Sequence, residues 1–563
     1  MKSFKNIIIG FATGILMMFS SCTDLSETVY GQLADSTIDM NDPDDVGDFM
    51  GKAYAQLRAM YWGWPGYYDL QDECCDLYVT PNRIGIGWGN FYILLHKHLW
   101  NNATLNHLNI VWNGCYIGIG YANKCLDVMP EGGYNYASMR FIRAFNYYIL
   151  LDTWRNIPLE TTQELEPGYL PKQASGEDIF DFCVQELLAI KNDLGTNKIH
   201  GYPNRYAACM TLAKLYLNAN VYSNTNDNSW YEKALAEVNE VINSGSYRLA
   251  THYLDNHKSD LNNSSEVIFA IPYDNVNARG NYNVNKALAA AGRAAFGYTG
   301  DTPYNGSAAV PQFIDTYDPD DKRLDYTWTY GIQRNATVVN GVTIPNSGDP
   351  IAMTQDDWSG TGFLNYSKEL HSVDEPGCYQ QEGYRIIKSE IVPGQAGTYG
   401  NDVPFFRLSD AMFIKAECLL RLGRDEQTAA DLITEVRMRS FDDPEKAKRT
   451  VADLKSGSIY KYGVRECIST GYNVWDNWIE IPEGGADIEL GGLLDDLAWE
   501  FIGEHHRRQD LIRFKMGDGR NVFNGKSWFS KRATNETHWN IYPIPRNAMN
   551  SNISLVQNPG YQD

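Results

Sequence analysis

The chain has 563 residues, with 70 acidic against 48 basic side chains and a net charge of −22. So acidic a surface repels a phosphate backbone and excludes nucleic acid as a partner. Ten cysteines are present, but no CxxC pair occurs among them, so a zinc ribbon has no support.

The chain opens with Lys2 and Lys5, an apolar stretch from Ile7 to Phe19, and then Ser20, Ser21 and Cys22. A charged start, a short apolar core and small residues predict a secretory signal over residues 1–21. The apolar core is about 13 residues, well short of the roughly 20 that a spanning helix needs. A cysteine at the cleavage point predicts that Cys22 becomes a lipidated N-terminus, tethering the protein to a bacterial membrane surface. Residues 22–43 read as a polar, acidic tether. Its run Asp39-Met-Asn-Asp-Pro-Asp-Asp45 fails as a calcium loop, because Asp44 stands where glycine belongs and Met50 where the bidentate acid belongs.

A helix is expected from Asp44 to Tyr61, with Val46, Phe49, Ala53, Tyr54 and Leu57 on its stripe. Two aromatic, glycine-rich loops follow. The first is Tyr61 to Tyr68, with Trp62, Trp64 and Tyr67; the second is Pro81 to Phe91, with Arg83, Trp88 and Asn90, and Tyr92 just beyond. Helical spacing returns over 105–129, 136–154 and 176–194. Residues 205–244 then carry two apolar stripes, Ala207 to Ala219 and Trp230 to Ile242, with alanines where two helices would cross. That is the texture of one tetratricopeptide unit, and a similar pair recurs over 408–439. Between them, residues 250–405 are rich in Gly, Asn, Asp, Thr and Tyr. A strand is expected at Glu266 to Ile271 and a hairpin over 330–345, turning at Asn340-Gly341. This reads as a loop-dominated insertion carrying Tyr298, Tyr304 and Trp358. The fold class is therefore mainly α: helical pairs over about 44–250 and 405–563, with the insertion between them in one domain, 44–563.

Nine cysteines remain after Cys22. That number cannot all pair, and Cys209 and Cys418 fall within apolar helical stripes, so no disulfide framework is expected. A helix is expected around Leu494 to Phe514, with Glu500 and Glu504 four apart and His505, His506, Arg507 and Arg508 following. Neither HExxH nor ExxH is present, so these charges read as ion pairs that anchor the helix rather than as a metal site. No GxSxG, P-loop or GxGxxG occurs. No enzyme, cofactor or metal is expected. Trp and Tyr in glycine-rich loops are hard to bury, so the aromatic loops are the candidates for binding a flat ligand. Sugar rings suit such faces, because their C–H faces pack on aromatic rings.

At this point the chain resembles the SusD/RagB family of surface glycan-binding lipoproteins of the Bacteroidota. The resemblance rests on Ser21-Cys22, on Arg140 to Tyr148 continuing to Trp154-Arg-Asn-Ile-Pro158, and on Tyr206 to Ala219. It rests further on Val403 to Glu417, on Trp499-Glu500-Phe501 through Arg507-Arg508-Gln509-Asp510 to Phe514, and on Tyr542-Pro-Ile-Pro545 through Asn558-Pro-Gly-Tyr561. It implies about four tetratricopeptide-like pairs and a non-catalytic protein that captures an oligosaccharide. It also implies a partner, a SusC-like TonB-dependent transporter in the outer membrane, on which the protein sits as a lid. Ligand-binding residues transfer only by region: Trp64, Tyr67, Arg83, Trp88, Asn90, Tyr298 and Trp358. A peptide-import lid of the same architecture and a protein-interaction scaffold remain open.

Overall fold

The computed structural model describes residues 43–60, 64–88, 90–103, 105–300, 302–353, 360–374, 377–394, 400–471 and 474–562. The signal, Cys22 and nearly all of the tether, with Trp62 and Trp358, lie outside the described residues. Gly47–Asp563 forms one compact unit.

The helical layer follows the expected elements closely. Helix α1 is Pro43–Met60, α2 is Asn90–Lys97, α3 is Asn106–Leu126, α4 is Gly133–Trp154 and α5 is Gly176–Ile190. Helices α6 (Arg205–Leu217) and α7 (Ser229–Asn243) form the first expected pair, and α8 (Leu408–Leu422) and α9 (Glu426–Met438) the second. Short turns bring successive helices back on each other. Helix α3 packs on α4, α4 on α5, α6 on α7 and α8 on α9, and α7 also packs on α8. The last contact joins segments some 165–190 residues apart in sequence into one stack of tetratricopeptide-like pairs. Helix α4 is buried all round from Phe141 to Trp154, which is why its apolar residues cover more than one stripe.

The insertion is closed at its base by two antiparallel strands, β1 (Val267–Ile271) and β4 (Val403–Arg407), with Ile271 opposite Val403. The expected hairpin is present as β2 (Thr337–Val339) and β3 (Val342–Ile344). Asn340 and Gly341 both have positive φ, 51° and 80°, the conformation that a two-residue hairpin turn demands. A longer hairpin, β5 (Gly463–Gly471) with β6 (Val474–Pro482), was not expected from the sequence.

One expected element breaks. Residues 494–514 are not a single helix: α10 (Gly491–Phe501) stops and α11 (Arg507–Arg513) starts anew. Gly503 and His505 between them sit at φ 70° and 54°, which no α-helix accommodates. Glu504 thus lies in the turn, not one helical turn along from Glu500.

The charges here hold the fold together. Glu500 is fully buried and meets Arg407 at 2.8 Å, Arg323 at 3.3 Å and also Arg439, while Arg407 reaches Glu504 at 2.8 Å. Arg507 pairs with Asp76, Arg508 with Asp152 on α4, and Arg513 with Glu417 on α8. Through Arg507, Arg508 and Arg513, α11 therefore ties three distant parts of the chain together. Near the C-terminus, Trp154 donates to the Pro543 carbonyl at 2.9 Å, and Asn558 donates to those of Trp154 and Tyr542. The motifs that carried the resemblance are, in this structure, mostly fasteners of the scaffold.

Candidate ligand-binding face

Two neighbouring loops and the distant insertion bring their rings together. Trp64 comes from the loop after α1, Trp88 from the loop before α2, and Tyr282 and Tyr304 from the insertion. Trp64 lies edge-on to Trp88 at 5.5 Å and to Tyr304 at 5.3 Å, and tilted to Tyr282 at 6.1 Å. Trp88 in turn stands edge-on to Tyr92 at 5.6 Å. Edge-to-face contacts at these separations are favourable between aromatic rings.

Exposure divides the cluster into two layers. Tyr304 is 39% exposed, and Trp64 and Tyr282 are half-buried; Trp88 and Tyr92 are buried behind them. Trp88 donates its indole N–H to the carbonyls of Tyr304 and Asn305. Gly306 lets the ring sit so close: a Cβ there would lie 2.7 Å from Trp88 and 2.8 Å from the Lys286 carbonyl.

Beneath the rings lies a buried charge cluster. Lys286 bonds Asp69 at 2.6 Å and Glu73 at 2.7 Å, and its ammonium stands 4.5 Å from the centre of the Tyr92 ring. Tyr92 and His107 also bond Asp69, at 2.7 and 2.8 Å. Burial works against the Asp69 carboxylate, but Lys286 and His107 outweigh it and hold the group below its ordinary range. Glu73 is further tied to Thr80 and Ser307. The π-helical turn Asp69–Glu73 places both acids on this side.

A cavity of about 40 Å³ with a mixed polar and apolar lining opens beside the cluster, with room for two or three waters. Tyr68, Asn283, Lys286, Ser307, Lys388 and Glu504 are among the residues that line it. Burial pulls Lys388 down to about 8 despite the pull of Glu504, and holds His257, also on the wall, at about 3.

The residues singled out from the sequence fall into three groups. Trp64 and Trp88 meet in the cluster, one half-buried and one behind it. Tyr67 and Arg83 are each 1% exposed: the Tyr67 ring packs near His505, and Arg83 donates to the carbonyls of Gly306, Tyr379 and Glu382. Tyr298 is 3% exposed and packs against Ile391. These three therefore face inward. Asn90 is the first residue of α2. Tyr282 went unnoticed, although its Gly280-Asn-Tyr-Asn setting resembles that of the other loop aromatics. All nine cysteines within the described residues are free thiols and buried.

Among the described residues, Cys209, Glu237 and Glu240 gather their possible ligand atoms within 4.8 Å. Lys191 bonds both glutamates, at 2.7 and 2.9 Å, and Arg205 pairs with Glu240. The cluster is thus balanced by cations of the protein, and its chemistry does not call for a metal.

A stack of tetratricopeptide-like pairs that carries loops with a half-exposed aromatic cluster defines a helical scaffold protein with a ligand face. The sequence profile of the SusD family matches residues 239–561, more than half of the chain, and the chain belongs to that family. It is 26% identical over 460 residues to the starch-binding protein SusD of Bacteroides thetaiotaomicron, covering 76% of this chain and 72% of that one. A SusD-like protein of Formosa agariphila is 23% identical over 544 residues, 89% and 96% of the two chains. Among solved structures, a SusD superfamily protein from Parabacteroides distasonis superposes with a TM-score of 0.67 at 19% identity, over 92% of this chain and 99% of that one. The surface glycan-binding protein A from Bacteroides uniformis does so with a TM-score of 0.63 at 17% identity, over 92% and 99%.

Proposed function

We propose that the protein captures an oligosaccharide at the bacterial surface on the face formed by Trp64, Tyr282 and Tyr304, and does not cleave it. The observation that carries this reading is the convergence of partly exposed rings from the loop after α1 and from the insertion onto one face. The C–H faces of a sugar pack on such rings. Trp88 and Tyr92 act as the backing that sets ring positions, not as contacts. The relative named as starch-binding supports a glycan as the ligand class.

Delivery follows from tethering. Cys22, as the lipidated residue, holds the protein at the outer membrane, where a TonB-dependent transporter receives the glycan. A weak site suffices there, because confinement beside the barrel raises the effective concentration. No helix among the described residues is long and apolar enough to cross a membrane. The helical-pair layer meets the barrel, which leaves the aromatic loops open to ligand. Crosslinks to the transporter that map only to the aromatic loops would overturn this placement.

The decisive experiment is calorimetric titration of the soluble chain, residues 23–563, with a panel of oligosaccharides, beside Trp64→Ala and Tyr304→Ala. Binding to one glycan class that both variants lose supports the reading. Silence across the panel shifts it to an extended peptide, or to a site completed by the barrel.

A further inference from the structure

Two arginines lie fully enclosed just behind the aromatic face. Arg83 is 1% exposed and Arg385 is 0% exposed. Among the described residues, their hydrogen bonds go to neutral acceptors. Arg83 reaches the carbonyls of Gly306 at 3.0 Å, Glu382 at 2.9 Å and Tyr379 at 3.1 Å, and the Cys378 sulfur at 3.7 Å. Arg385 reaches the Asn305 side chain at 2.9 Å and the Gln380 carbonyl at 2.6 Å, and lies over the Tyr366 ring. Both guanidiniums therefore span the same two segments, 305–306 and 378–382.

Charge around them does not balance. Glu382 is the buried acid nearest in sequence and is felt by Arg83. Its oxygens are taken by the backbone amides of Tyr379 and His371, at 2.9 and 2.8 Å, and by the His371 ring at 2.8 Å. One engaged carboxylate faces two guanidiniums. Burial, and then the field of Arg83, pull Arg385 down to about 9, far below an ordinary arginine. Arginine elsewhere in this core is treated differently: Arg323, Arg407, Arg507, Arg508 and Arg513 each meet a carboxylate.

Donors are also left over. The Nε of Arg83, the Nε and Nη1 of Arg385 and the Nδ2 of Asn305 are enclosed and lack a well-formed hydrogen bond, although the neutral Tyr366 hydroxyl lies beside Arg385. An unpaired buried cation with unmet N–H groups is strongly unfavourable, and buried donors of this kind take a partner. Water would satisfy hydrogen bonds but leave the excess positive charge.

The geometry points to a binding site for a small monovalent anion of the chloride class, held by Arg83, Arg385 and Asn305 behind the aromatic face. Enclosure of the donors restricts the ligand to a small ion, because a sugar carboxylate would bring its ring into the core. The anion would bind the 305–306 turn, next to Tyr304, to the 378–385 segment. The site stands whether or not the exposed rings bind glycan.

The test uses the purified full chain. Its melting temperature is followed at constant ionic strength while chloride replaces gluconate, and crystals grown in bromide are examined for anomalous scattering. A saturable rise of about 1–2 °C is expected, with a bromide peak within hydrogen-bonding distance of Arg385 Nη1. Arg385→Gln, or Arg385→Lys if that variant fails to fold, should lose the chloride response. Equal melting temperatures in the two salts, with water and no bromide at the arginines, would overturn the proposal. So would a response to glucuronate without one to halide.

Discussion

The indole of Trp88 donates to the carbonyl of Tyr304 at 3.2 Å, so a buried ring fixes an exposed one 216 residues further along the chain. Removing the buried ring should therefore act on stability first. Trp88→Ala is expected to cost about 3–5 kcal/mol, the usual range for emptying so large a site, and denaturant melts measure it. Trp88→Phe keeps most of the packing but loses the N–H bond. It should weaken glycan binding more than it weakens the fold.

Trp64→Ala and Tyr304→Ala probe the other layer. Each should lose about 1–1.5 kcal/mol of glycan binding, roughly ten-fold in Kd, by calorimetry. Tyr304 is 39% exposed, so its removal should leave the melting curve within about 0.5 kcal/mol of the parent. A Tyr304→Ala variant that binds unchanged would take this ring out of the ligand face.

Glu500 is the acid that three arginines share. Glu500→Gln leaves Arg407, Arg439 and Arg323 in competition for fewer charges. Breaking a buried pair by removing one partner costs about 3–5 kcal/mol, and urea unfolding of this variant should show a loss of that size. Wild-type unfolding behaviour would mean that water reaches the cluster.

Two sets of buried carboxyls give opposite pH dependences. Burial works against the Glu266 and Glu417 carboxylates, but Arg439 and Arg407 around the first, and Arg513 and Arg421 around the second, hold both down at about 2. Their stabilisation is present above the ordinary 4.5 and is lost as pH falls through 2. Burial pushes Asp72 and Asp495 up to about 7 instead. Their contribution is full below 3.8 and is lost as pH rises through 7. The melting temperature should therefore peak at about pH 4, between the 3.8 and 4.5 at which the two losses begin, and decline on both sides. Asp495→Asn should flatten the upper limb; an unchanged limb would show that this carboxyl is not its source.

The helical pairs were legible in the sequence because an alanine-rich stripe repeats with the helical period, and that pattern is local. The same holds for the hairpin at Asn340-Gly341, where two residues alone set the turn. The break between α10 and α11 was not legible, since the apolar period runs on through Gly503 while the backbone there takes positive φ. The β5–β6 hairpin was missed because its alternation does not follow burial: Glu466 is buried in β5, whereas Ile468, Trp478 and Ile481 are exposed.

By itself the sequence determined the kind of molecule: a helical-pair scaffold, an aromatic-rich insertion and an acidic surface. Composition and periodicity carry such features because each depends on neighbours along the chain. Only the tertiary structure decided which rings meet and which of them face outward. Trp64, Trp88, Tyr282 and Tyr304 are brought together by loops up to some 240 residues apart, and Tyr67, Arg83 and Tyr298, equally plausible from their loops, are turned inward. Burial is a property of the whole packed chain, and no local pattern encodes which side of a loop the core will claim.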